Sequence, residues 1–182
     1  TDTGEITYTY GTNFKLETDR AAAFAGHTVT GAGGNTFGGC TLVTNNDRAS
    51  VHVTSIDGSK AIKNASKINI FAMGRSTSTG LTWENKTAKS AKLTSLGTGP
   101  ILVEDIRGTL TIPTNATKCT VYGLDSTGKR VKTVNAKAVQ GGFAITLGGY
   151  VNYEVLMSDF KAESNNSSKP VTNTSTAASG YI

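Results

Sequence analysis

Turn residues recur along this chain at short, even intervals. Runs of Val, Ile, Leu, Thr and Tyr alternate with polar positions and are cut roughly every eight to twelve residues by Gly, Asn or Asp, until Ser, Thr and Asn take over near residue 161. A strand buries every second side chain, so this spacing describes antiparallel strands with one covered face and one polar face. Ile6, Tyr8 and Tyr10 share one phase of a first strand, and Gly11-Thr12-Asn13 turns the chain toward Phe14 and Leu16. Val51 and Val53 point one way with His52 and Thr54 the other, and Ile68, Ile70 and Ala72 lie on a single face. Asp57-Gly58 between these runs reads as a two-residue hairpin turn.

Later apolar positions, from Leu102 through Leu110, Ile112, Val121, Phe143 and Ile145 to Val155 and Met157, continue the pattern. Tyr122 falls on the phase opposite Cys119 and Val121, toward solvent or a second layer. A helical period is absent apart from one turn near Asn64-Ala65-Ser66-Lys67. The expected fold is therefore all-β, an antiparallel β-sandwich of jelly-roll type with ten to twelve short strands over residues 1–160. Residues 161–182 are too poor in apolar side chains to pack and read as a Ser/Thr/Asn-rich linker.

Length allows one sizeable core and makes two independent ones implausible. Charged residues are only 17% of the chain while Gly numbers 21, a balance typical of secreted all-β modules, so an extracellular setting is expected. Thr1 opens no signal-peptide pattern, which suggests a segment of a longer secreted protein, and no apolar run is long enough to span a membrane as a helix. The net charge of +5 is spread over lysines beside turns and reads as a solvated surface. Nucleic acid is not indicated, because no basic stripe is interleaved with aromatics. Cys40 and Cys119 both occupy apolar phases, where a bridge across the sandwich and two buried free thiols are equally compatible with the pattern.

Three stretches together resemble the β-sandwich modules that accompany catalytic domains in secreted, multimodular glycoside hydrolases. They are Val51 to Lys60, Phe71 to Asn85, and Gly99 to Glu104 continuing through Gly108 to Pro113 and Val121 to Lys129; Thr18-Asp19-Arg20 is similar to the start of the corresponding first strand pair. The resemblance implies either a carbohydrate-binding module or a structural companion of a catalytic domain in the same polypeptide. It carries no residue-by-residue ligand motif.

Sugar recognition needs a flat apolar plate for the C–H face of a pyranose and oriented polar groups for its hydroxyls. Trp83, the only tryptophan, sits in the longest polar interval, residues 74–99, beside Glu84 and Asn85, with Arg75 within reach if the chain returns to one end of the sandwich. Tyr8 and Tyr10 offer a second plate and Tyr150, after Gly148-Gly149, a third; packing duties compete with ligand contact at each. No GxSxG, HExxH or phosphate-binding loop is present, and His27 and His52 stand alone, so catalysis is not expected. No cofactor is implied, although a calcium held by backbone carbonyls and one or two acids would suit such a module. The expected protein is thus a monomeric, non-catalytic binder of plant cell-wall polysaccharide, a β-glucan or hemicellulose in preference to acidic pectin. It would target an appended cellulase-type enzyme, with the companion module as the alternative.

Overall fold

The computed structural model describes residues 7–9, 11, 13–31, 33–87 and 89–161, with side chains from residue 11 onward. Tyr10 and most of the expected linker, residues 162–182, lie outside the described residues. Two antiparallel sheets pack face to face, so the β-sandwich expected from the sequence is the fold. The larger sheet has nine strands. Its order is β1 (Thr7–Thr9), β2 (Asn13–Glu17), β3 (Ala21–His27), β6 (Arg48–Ser55), β7 (Lys67–Glu84), β14 (Asn152–Phe160), β10 (Ala116–Leu124) and β11 (Arg130–Val134), with β8 (Lys92–Asp105) paired to β7. The smaller sheet runs β12 (Ala136–Val139), β13 (Gly142–Leu147), β9 (Gly108–Pro113), β5 (Cys40–Thr44) and β4 (Asn35–Phe37). The described strands number fourteen, more than the ten to twelve expected, because strands as short as β4 and β12 are too brief to display an alternation.

The core follows from strand phase. On the larger sheet Val121, Val155 and Ile68 lie in one cross-strand row, and Tyr153, Ile70, Val53 and Ala22 in the next. Facing them from the smaller sheet are Leu42, Leu110 and Ile145, flanked by Cys40, Ile112 and Phe143. Complete burial of each such aliphatic side chain contributes about 1.5–3 kcal/mol before entropy is counted. Tyr153 reaches this depth because its hydroxyl leaves the apolar layer at the sandwich end and accepts a hydrogen bond from the Gly148 amide at 2.8 Å. Cys40 and Cys119 stand on different sheets as free thiols, and burial pushes them up to about 12 and about 11. Neither is a thiolate at neutral pH.

Asp57-Gly58 does not close a two-residue hairpin. Strand β6 ends at Ser55 and β7 starts at Lys67, and the chain between them passes through a 3₁₀ turn at Ile62–Asn64, starting two residues before the expected Asn64-Ala65-Ser66-Lys67. Asp57 organises this connection: its carboxylate accepts from the Ser66 amide at 2.8 Å, the Ser66 hydroxyl at 2.6 Å and the Lys60 ammonium at 3.0 Å. These donors, led by the Ser66 hydroxyl, hold its carboxyl down to about 2. Ile62 and Ala65 are buried beneath the connection, so the polar surface loop also closes one edge of the core.

Residues 74–99, expected as a polar interval, form most of a long ribbon. Beyond Met73, β7 leaves both β6 and β14 and continues to Glu84 paired only with β8. Among the described residues no second layer covers it, and its side chains are mostly exposed.

Candidate functional site

The face of the larger sheet that looks away from the core presents a continuous set of non-core side chains. Its rows come directly from register, since paired residues share a face. Leu16, Ala23, His52, Phe71, Asn152 and Leu124 form a central row across six strands. Ala21, Thr54, Asn69, Glu154, Tyr122 and Thr133 form the adjacent row. Phe71 must face outward because Ile70 and Ala72 on either side are committed to the core.

Two aromatic plates stand on this face. Phe71 is met edge-on by His52, with ring centroids 6.0 Å apart, and His52 Nε2 lies 3.2 Å from the Ser50 hydroxyl. Tyr122 lies under the Arg130 guanidinium, whose centre is 4.5 Å from the ring centroid. Two strands across and two residues along from Phe71, Tyr122 is roughly 12 Å away in the sheet plane. Between the plates Glu154 takes Arg130 at 2.6 Å on one oxygen and Lys67 at 3.3 Å on the other. The Arg130 hydrogen bond holds its carboxyl below the usual range against the opposing effect of partial burial, so Glu154 is a fixed acceptor at neutral pH. Asn69 and Asn152 place amides in the same two rows, Asn69 donating to the Tyr153 carbonyl at 3.4 Å.

The central row runs into a cleft of about 530 Å³ at one end of the sandwich, lined by Leu124, Asp125, Ser126, Val131, Tyr150 and Asn152 among others. Tyr150 is therefore brought to the edge of this face. Its ring also has a structural duty: it packs edge-on against Tyr153 with centroids 6.0 Å apart and lies over Gly123, where any Cβ would collide with it.

The other sequence candidates are placed elsewhere. Trp83 and Glu84 end β7 at the tip of the ribbon, and Asn85 follows in the turn with a φ of 51°. Glu84 is paired with Lys92 at 3.0 Å, and Lys86 lies 5.8 Å from the centre of the Trp83 ring. Arg75 does not join them. Eight residues back along an extended strand, it is about 26 Å from Trp83 and is held at the ribbon's root by Glu104 at 3.4 Å and Asp47 at 3.9 Å. Tyr8 is the exception: in β1 it pairs with Leu16 of β2 and so takes a register position at the outermost end of the central row, three strands from His52, while Tyr10 lies outside the described residues.

Sequence reading missed Phe71, His52, Asn69, Lys67, Arg130 and Glu154 as a set, because they come from four different strands. Phase alone would have found Phe71, the one aromatic between Ile70 and Ala72. Among the described residues no three His, Cys, Asp or Glu side chains gather where a metal would sit. No family model, no curated protein and no solved structure matches this chain.

Proposed function

We propose that this chain is a non-catalytic carbohydrate-binding β-sandwich that holds an appended polysaccharide-degrading enzyme on plant cell-wall polysaccharide outside the cell. The supporting observation is the outer face of the larger sheet, where Phe71 and the Arg130-covered Tyr122 flank an ionised Glu154 and two amides. An apolar ring takes the C–H face of a pyranose, while carboxylate and amide oxygens accept from its hydroxyls. The spacing of the two plates suits two linked rings of an extended chain.

Charge narrows the ligand. Lys67 and Arg130, the cations beside the two plates, are both engaged by Glu154, so a uronate at the plates would meet a carboxylate and two cations already compensated by it. A neutral β-glucan or hemicellulose is therefore favoured over a pectin-type chain. The site is open and shallow, and ordering a flexible glycan offsets much of what stacking contributes, so affinity is modest. Linkage to a catalytic domain turns that modest affinity into a high local substrate concentration.

Affinity electrophoresis of the chain in gels containing neutral and acidic polysaccharides tests this. Retardation by a neutral glucan or hemicellulose is expected, abolished in Phe71→Ala and Tyr122→Ala and retained in Trp83→Ala. Unretarded migration in every gel would overturn the reading.

A further inference from the structure

The outer face of the larger sheet continues past His52 onto β3 and β2, and what stands there extends the site; the inference rests on the carbohydrate reading above. Register supplies a further row beside the central one, in which Phe14, Ala25, Ser50 and Met73 pair in turn across β2, β3, β6 and β7. Phe24, Val51 and Ala72, their neighbours along the strands, are committed to the core, so this row shares the face of Phe71 and Tyr122. Phe14 keeps 41% of its surface exposed.

Three aromatic plates then fall on one line. Phe14 lies three strands from Phe71 and two residues toward the Met73 end of β7, about 16 Å away. Tyr122 lies on the other side of Phe71, two strands away and two residues toward the Asn69 end. The two steps slope the same way, so the line crosses the sheet diagonally and spans about 28 Å from Phe14 to Tyr122.

Each interval along the line carries its own polar set. Between Phe14 and Phe71, strands β3 and β6 present Ala23, Ala25 and Ser50, all short side chains, with His52 Nε2 3.2 Å from the Ser50 hydroxyl. A low floor therefore separates two rings, and a hydroxyl and an imidazole stand at it to meet the hydroxyls of a ligand. Asn69, Asn152 and Glu154 serve the interval between Phe71 and Tyr122. Apolar plates with a few oriented polar groups between them are the composition of a binding groove. His52 is the one titratable side chain at the Phe14–Phe71 interval: Lys15 and Glu17 take the opposite phase of β2, and His27 and Arg48 pair one row further out. That interval suits an uncharged ring.

We propose that Phe14 is a third plate of the site and that the ligand is an internal stretch of a long neutral glycan lying diagonally from β2 to β10. Both strands stand one place in from an edge of the sheet, so a chain on this line leaves the face on both sides and neither of its ends is needed for recognition. With two linked rings matched to Phe71 and Tyr122, the full line takes about five or six.

Isothermal titration calorimetry with cello-, laminari-, xylo- and manno-oligosaccharides, trisaccharide against hexasaccharide, tests the proposal. The unaltered chain is expected to bind the hexasaccharide of one series roughly tenfold more tightly than its trisaccharide, the effect of one further ring contact. Phe14→Ala should bind the two lengths alike, and Phe14→Trp should restore the difference. Ala25→Gln raises the floor without removing a plate and should also abolish the difference. A hexasaccharide whose reducing end has been converted to the alditol should bind as the unmodified one does. Equal affinity of the unaltered chain for both lengths overturns the third plate. So does a hexasaccharide preference that survives Phe14→Ala and Ala25→Gln, and in both cases loss of binding in Phe71→Ala leaves the two-plate site standing. Dependence on a free reducing end overturns the internal stretch. An unaltered chain that binds no series overturns the carbohydrate reading and this inference with it.

Discussion

Strand β7 belongs to two different environments. From Lys67 to Met73 it lies between β6 and β14 under a second sheet, and Ile68, Ile70 and Ala72 are sealed while Asn69 and Phe71 keep partial contact with solvent. From Ser76 to Glu84 it has, among the described residues, one neighbouring strand and no covering layer, with exposed residues on both faces. The backbone geometry is the same in both halves, but the energetic basis differs. In the body, burial of apolar area supplies stability and the ladder hydrogen bonds follow; on the arm, hydrogen bonds and cross-strand pairs act with little burial, each contributing about 0.2–1 kcal/mol. A strand is thus defined by its ladder, whereas its contribution to stability is set by what lies above and below it.

That contrast is open to measurement. Ile70→Ala should destabilise the fold by about 3 kcal/mol, since a cavity opens in a layer that cannot collapse. Leu96→Ala, a similar truncation on the arm, should stay within about 0.5 kcal/mol. Equal losses in urea denaturation would erase the distinction between body and arm.

A sharper cut tests the boundary of the body. Tyr153→Phe keeps the ring and removes the acceptor for the Gly148 amide, and should cost about 1 kcal/mol in the same assay. A neutral result would mean that the polar seal at the sandwich end contributes nothing.

The smallest effect lies at the opposite edge of the core. Asp57 has its carboxyl held down to about 2 in the folded chain, so the unfolded chain binds the proton more readily in acid. Its contribution is present above about pH 4, the ordinary carboxylate range, and is lost as pH falls through 2. Thermal melts of Asp57→Asn should be less sensitive to pH across that window than those of the unaltered chain. Parallel pH profiles would remove Asp57 from the stability of the β6–β7 connection.

Most of the body was legible because its rule is local. Alternation at Val51/Val53 and Ile68/Ile70/Ala72 reports burial directly, and the outward phase of Tyr122 follows from that of Val121. The arm was not legible, because Ser, Thr and Gly dominate residues 74–99 and long-range pairing with β8 makes them a strand. Gly97 illustrates the point: it takes a φ of 71° and lies so close to the Thr79 carbonyl that a Cβ would clash, a requirement set by the partner strand. Asp57-Gly58 misled for the same reason, since the Asp57 carboxylate is drawn to Ser66, nine residues away. The outer-face site was hidden by its assembly. Lys67, Phe71, Tyr122, Arg130 and Glu154 span 88 residues and meet only through sheet order.

Because β7 passes unbroken from the centre of the larger sheet into the arm, the two are joined mechanically as well as by sequence. A load on the tip, whether from a bound neighbour or a moving tether, runs along the strand into ladders with β6 and β14 on both sides. Those hydrogen bonds lie across the direction of pull and must yield together in shear rather than one after another, so a load on the arm is shared across two ladders at once.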